Sequence, residues 1–292
     1  MRVLWLALAA GCAGTNEASV GEDAGTADRC ERWNAERADV DDGTWSGSVA
    51  ACDPGEMDPA WRERVLRQIN LYRWLAGLPE VTNEPAFAER AQACSLMMDA
   101  NQQLSHAPPT SWDCWSQAGA DGAGRSNIAS LPGVSAIDLF MADPGNATTI
   151  GHRRWILSTW IGRVGIGSTS RFSCLHVFDD TGTSGAAFVA WPPPGRFPVQ
   201  AATVSGTSID QTGWTVQSED ASLPGATVTV TAAGQDLPIA VVVLEGGYGS
   251  AYALSFIPQG WAMQAGTTYQ VELSDLPAPI AYDIEAVDCA VP

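Results

Sequence analysis

The chain of 292 residues contains no lysine: all 15 basic side chains are arginine, against 33 acidic ones, for a formal net charge of −18. No basic patch interrupts it, and binding to a polyphosphate backbone needs clustered positive charge, so no nucleic-acid partner is expected. Charged residues are scarce at 16% while hydrophobic residues reach 46%, which excludes a disordered tail and requires at least one domain with its own core. Also missing are a run of about 20 apolar residues able to span a bilayer, any Cys-x-x-Cys pair and any His-x-x-x-His pair. Histidine occurs only three times. An all-arginine basic set is what a GC-rich coding sequence produces, and it points to a bacterial source.

Seven cysteines are present, an odd count that leaves one thiol to explain. The first residues supply Arg2, an apolar run from Val3 to Ala10, and small residues leading into Cys12. This reads as an export signal over residues 1–11. Ala9-Ala10-Gly11-Cys12 resembles the bacterial lipobox, in which the cysteine is acylated, although Ala9 stands where leucine is usual; an ordinary signal cut nearby is the competing reading. Acylation of Cys12 anchors the protein in a membrane of the cell envelope, with the outer membrane or cell surface preferred. It also leaves Cys30, Cys52, Cys94, Cys114, Cys174 and Cys289 for three disulfides in an oxidising compartment. Proximity along the chain favours Cys30 with Cys52, Cys94 with Cys114 and Cys174 with Cys289.

Residues 12–57, rich in Gly, Ala, Ser, Thr, Asp and Glu with no usable period, read as a solvated acidic spacer. Asp58 and Pro59 then form a helix start, Trp61, Val65, Ile69, Tyr72 and Ala76 give one apolar stripe, and Gly77 stands where a helix stops. A second helix opens around Asn83 and Pro85 and runs to about Gln103, with Phe87, Ala91, Cys94 and Met98 on one face. Shorter helices are expected over Ser135–Ala142 and from Gly151. Strands are expected at Val164–Ser168, Phe172–Phe178 and Ala187–Trp191, the last stopped by Pro192-Pro193-Pro194-Gly195. From residue 199 to 292 only short strands separated by Gly, Pro, Asp or Ser remain. They predict an all-β, immunoglobulin-like sandwich.

Residues 58 to about 180 resemble the CAP superfamily, which includes cysteine-rich secretory proteins, antigen 5 and pathogenesis-related proteins. The matching pieces are Asn70-x-x-Arg73-x-x-x-Gly77-Leu78, Ala91-Gln92-Ala93-Cys94, Leu104-Ser105-His106, Asn127-Ile128-Ala129, Asp138 to Asp143, Gly151-His152-Arg153-Arg154-x-Ile156-Leu157 and Val164-Gly165-Ile166-Gly167. The resemblance implies an α/β/α sandwich with helices on both faces of an antiparallel sheet. The expected architecture is therefore α+β, a CAP domain over 58–198 followed by the sandwich over 199–292. The family's cleft places its two histidines on His106 and His152. Its first glutamate falls on Ser126 and is lost, and its second falls on Asp143.

Two imidazoles and a carboxylate brought together in this way could hold a divalent ion such as zinc at His106 and His152. Each histidine reads equally well as a hydrogen-bonded loop or helix-start residue. Ser126, Asp143 and either histidine also suggest a nucleophile, orienter and base, but Gly124-Arg125-Ser126-Asn127-Ile128 is not a Gly-x-Ser-x-Gly elbow. His176 lies in a strand and reads as structural. Trp112 and Trp115 flank Cys114, where packing around a disulfide competes with stacking on a sugar ring or covering a lipid chain. Trp155 and Trp160 read as core, and Asn146-Ala147-Thr148 as a chance glycosylation pattern. The expected function is binding of a lipid, glycan or protein ligand at the cell surface through a degenerate cleft; the alternative is a metal-assisted, peptidase-like hydrolase using the two cleft histidines.

Overall fold

A computed structural model describes residues 29–290; the expected signal at 1–11 and the expected acylation site Cys12 lie outside the described residues. The N-terminal half runs α1 (Arg29–Arg37), α2 (Pro59–Leu75), β1 (Thr82–Asn83), α3 (Pro85–Asn101), α4 (Gln117–Ala123), β2 (Ser126–Ala129), α5 (Gly133–Ala142), α6 (Gly151–Ile156), β3 (Arg163–Ser168) and β4 (Ser173–His176). Helix α2 forms for the reasons its sequence gives. The Asp58 carboxylate accepts from the Ala60 N–H, Trp61, Val65, Ile69 and Tyr72 are buried, and Gly77 turns left-handed at φ +71° to end it.

The four strands lie in the order β1-β3-β4-β2, with β1 parallel to β3 and the other pairs antiparallel, so the sheet is mixed and not purely antiparallel. Strand alternation explains how helices cover both faces. Val164 and Ile166 of β3 join the core built on α2 and α5, whereas Gly165 and Gly167 face α3. A Cβ on Gly167 would stand 2.2 Å from the Ala91 carbonyl carbon, so glycine here lets helix backbone lie directly on strand backbone.

The C-terminal half continues with β5 (Val189–Trp191), β6 (Gly195–Pro198), α7 (Val199–Ala202), β7 (Thr203–Val204), β8 (Thr207–Ser208), α8 (Ile209–Thr212), β9 (Trp214–Ser218), β10 (Thr227–Ala232), β11 (Gln235–Asp236), β12 (Ile239–Val243), β13 (Tyr252–Pro258), β14 (Thr268–Ser274) and β15 (Ile280–Val287). These form a five-stranded sheet, β11-β10-β14-β15-β6, and a four-stranded sheet, β12-β13-β9-β5. The sheets face each other through aromatic contacts such as Trp214 against Tyr269, with ring centroids 5.5 Å apart. Because β5 and β6 pair with C-terminal strands, this half begins before the expected boundary at residue 199.

Two further expectations are corrected. From Arg29 onward, the stretch expected to be a solvated spacer is folded onto the body. Trp33 is buried edge-on against Tyr72, and Arg37 makes a bidentate ion pair with Asp138 at 2.9 and 2.7 Å. Asp42 accepts from the Val134 N–H and the Ser135 hydroxyl at the start of α5, and from the Trp61 indole. Asp42 is thus an internal acceptor at a helix N-terminus. The disulfides are Cys30–Cys289, Cys52–Cys114 and Cys94–Cys174, and none of the three pairings favoured by proximity forms. Cys94 on α3 lies over β4, which carries Cys174, and the docking of α1 brings Cys30 to the chain's far end. One contiguous apolar core runs from Trp33 and Trp61 through Trp191 and Trp214 to Tyr282. Among the described residues, no helix is long and apolar enough to cross a membrane.

Candidate functional site

His106, Ser126 and His152 line one open cavity of about 470 Å³, together with Asn127, Asn146, Thr148, Thr149, Trp155, Phe178 and Tyr248. That volume lies within the usual range for small-ligand sites. Its back wall is β2, every residue of which is buried. His106 lies in the loop after α3, with Nδ1 2.9 Å from the Ala123 carbonyl oxygen. A carbonyl can only accept, so Nδ1 carries the proton and Nε2 is a lone-pair acceptor.

The second imidazole is held by the turn between α5 and α6. Asp143 ends α5 in the left-handed region at φ +52°, and Ile150, also left-handed, precedes α6. The chain therefore doubles back and points the first N–H groups of α6 at the Asp143 carboxylate. Oδ2 accepts from the backbone N–H groups of His152 at 3.0 Å and Arg153 at 3.3 Å. Oδ1 accepts from His152 Nδ1 at 2.9 Å and from the Asn146 amide at 2.6 Å. Asp143 thereby keeps a proton on His152 Nδ1 and orients the ring, so that Nε2 is the lone-pair nitrogen whenever the ring is neutral; the Asn146 amide stands 3.2 Å from the same Nδ1. The Asn127 amide donates to the His152 carbonyl at 2.9 Å and ties this helix to β2.

Ser126 is almost fully buried, and its hydroxyl has no hydrogen-bond partner among the described residues. An unpaired buried hydroxyl costs about 1–3 kcal/mol.

The donor set does not fit the expected metal. Among the described residues, no group of three or more His, Cys, Asp or Glu is placed to hold an ion. Asp143, the carboxylate that would complete the set, is 1% exposed and spends both oxygens on His152, Arg153 and Asn146. His176 is structural as expected: it is buried in β4, stacked on Phe87 at 4.2 Å, and burial lowers its imidazole to about 4.

The cleft aromatics differ from those expected. Trp112 and Trp115 pack against the small core around Cys94 and Cys174. Trp155 packs against the core as expected and also lines the cavity, stacked on Phe178 at 4.5 Å, whereas Trp160 is 45% exposed. Asn146, read only as a glycosylation pattern, is a cleft residue bonded to Asp143. Tyr248 comes from the C-terminal half, in Gly246-Gly247-Tyr248-Gly249-Ser250, and its ring lies over Gly151, where a Cβ would meet it at 2.8 Å. An aromatic residue between glycines is the signal that could have found it, since such a loop presents its side chain without packing it.

The same α6 joins the halves. Arg153 and Arg154 are fully buried and give their N–H groups mostly to carbonyls. Arg153 bonds Met141, Ala142, Gly213 and the Thr212 hydroxyl, while Arg154 bonds Thr149, Glu245 and both oxygens of Ser250. Burial lowers both guanidinium groups to about 10, so they remain charged at neutral pH. His152 thus sits one residue before two arginines that bolt its helix to the C-terminal half.

The model of the cysteine-rich secretory protein family, CAP, matches residues 66–173. The matched stretch contains all four expected cleft positions, His106, Ser126, Asp143 and His152; the C-terminal sheets and Tyr248 lie outside it. No curated protein and no solved structure matches the chain.

Proposed function

We propose that this protein is a cell-surface binding module, tethered through an acylated Cys12, that takes its ligand in the cleft lined by His106, Ser126 and His152. A CAP domain is a module of extracellular binding and interaction, and three disulfides suit an oxidising compartment. The observation that carries the reading is the convergence of two imidazoles, each tethered through Nδ1, with the unpartnered Ser126 hydroxyl on one cavity. Two imidazoles that each spend Nδ1 within the protein suit a ligand that offers hydroxyl or N–H groups to Nε2.

The hydrolytic alternative is less well supported. Its metal lacks a third ligand, and although Asp143 and His152 form a base and orienter pair, the Ser126 hydroxyl is not hydrogen-bonded to an imidazole. Histidine side-chain NMR during titration with dodecanoate, oligosaccharides and short peptides tests the cleft: a binder should shift the His106 and His152 signals and be lost in His106→Ala and His152→Ala. Binding unchanged in both variants overturns it. The tether is tested separately by the intact mass of detergent-extracted protein, which should carry lipid on Cys12 and lose it in Cys12→Ser.

A further inference from the structure

The cavity at the histidines does not stand alone. Trp155 and Phe178 also line a second open cavity of about 410 Å³, whose other walls include Trp160, Arg125, Arg163 and Asp179. The stacked Trp155 and Phe178 pair is therefore a ridge between two adjoining depressions, one ending at the imidazoles and the other at an Arg163 and Asp179 ion pair of 2.8 Å. Large aromatic residues along this path remain in contact with solvent: Phe178 is 44% exposed, Trp160 45% and Tyr248 37%. None is needed to fill the core, and an exposed aromatic face flanking polar pockets signals a ligand surface.

Resting on the cleft reading, we infer that the ligand is a neutral oligosaccharide longer than one ring, lying across both depressions with sugar faces on Phe178, Trp160 and Tyr248. The chemistry of the walls selects among ligand classes. An acyl chain needs a continuous apolar lining, but these walls alternate rings with imidazole, amide, hydroxyl and guanidinium groups. An anionic chain would meet Arg163 already paired with Asp179 at 2.8 Å, and Asp180 beside them. A neutral glycan offers apolar C–H faces to aromatic rings and hydroxyl donors to the two imidazole Nε2 acceptors. The C-terminal half then completes the site, because Tyr248 supplies one of its rings and Arg154 holds the loop ends that carry it.

The test is calorimetric titration of the whole protein with maltotetraose, cellotetraose and chitotetraose, their single-ring sugars, and dodecanoate. At least one tetrasaccharide should bind, about tenfold or more tighter than its single-ring sugar, with little dependence on salt. Phe178→Ala and Trp160→Ala should each weaken that tetrasaccharide about tenfold with the far-UV circular dichroism spectrum unchanged, since neither residue is buried enough for truncation to unfold the chain. Equal affinity for one ring and four, or no loss in either variant, overturns the inference. Histidine NMR read alongside separates the two levels. Dodecanoate shifting His106 and His152 while no tetrasaccharide does leaves the cleft and removes the glycan. No probe shifting them removes both.

Discussion

At the scale of single residues, the cleft trades stability for readiness. Ser126→Ala removes a buried hydroxyl that has no partner, so the variant should be as stable as the parent or up to about 1 kcal/mol more stable in urea unfolding, while losing affinity for whatever occupies the cleft. A clear loss of stability would mean that the hydroxyl is bonded within the protein. Asp143→Asn is the complementary probe. Asn tolerates the left-handed backbone that Asp143 adopts at φ +52°, so the turn survives and only the acceptor chemistry changes. The variant should lose about 1–3 kcal/mol from its charge-assisted bonds to His152, Arg153 and Asn146, and the His152 ring should shift toward the other tautomer in ¹⁵N spectra. The sequence alone located these residues only through resemblance. Nothing in the spacing of His106 and His152 brings them together; the turn at Asp143 and the pairing of β2 with β4 do so, and those are tertiary events. The glycines around Tyr248 mark a presented side chain, but nothing in the sequence assigns it to this site, because a loop about 100 residues downstream of His152 enters the cleft only once the halves have docked.

At the scale of elements, boundaries with a local chemical cause could be read from the sequence, and those set by docking could not. Asp58, Pro59 and Gly77 delimit α2 by capping chemistry, and the alternation of Tyr269, Val271 and Leu273 with polar neighbours is the half-buried β14 that it predicts. Helix α1 was missed because its nine residues carry little apolar signal; it forms because Trp33 and Arg37 find Tyr72 and Asp138 on other helices. Removing that anchor by Arg37→Ala leaves Asp138 half-desolvated beside Tyr72 and should cost about 2–3 kcal/mol in chemical denaturation. The contact between α3 and β3 is stricter. Gly167→Ala has backbone atoms of Ala91 and Gln92 at 2.2 Å in its way, so relief requires moving a helix, and a loss of about 3 kcal/mol or failure to fold is expected. Gly77→Ala meets open space and pays only for its positive φ, about 1 kcal/mol; thermal unfolding of the two variants side by side should rank them in this order.

At the scale of the whole molecule, the two halves should behave as one folding unit. The apolar core is continuous across them, Arg153 and Arg154 satisfy their guanidinium groups only when both halves are present, and Cys30–Cys289 closes the described chain end to end. Tryptophan fluorescence and far-UV circular dichroism should therefore report a single coincident unfolding transition. That unit should also weaken in mild acid, and the sign follows from His176. Its imidazole titrates near 4 when folded, because burial disfavours the charged form, and near 6.5 in the unfolded chain. Between those values the unfolded state binds the extra proton, so the contribution of His176 is fully present above pH about 6.5 and is lost as pH drops toward 4, by an upper limit of about 3 kcal/mol. Urea midpoints at pH 7.5 and 4.5 measure the fall, and His176→Phe, which can retain the stack on Phe87, should reduce it. If the variant and the parent lose the same stability across this window, the acid sensitivity lies in the carboxylates, and the buried histidine plays no part in it.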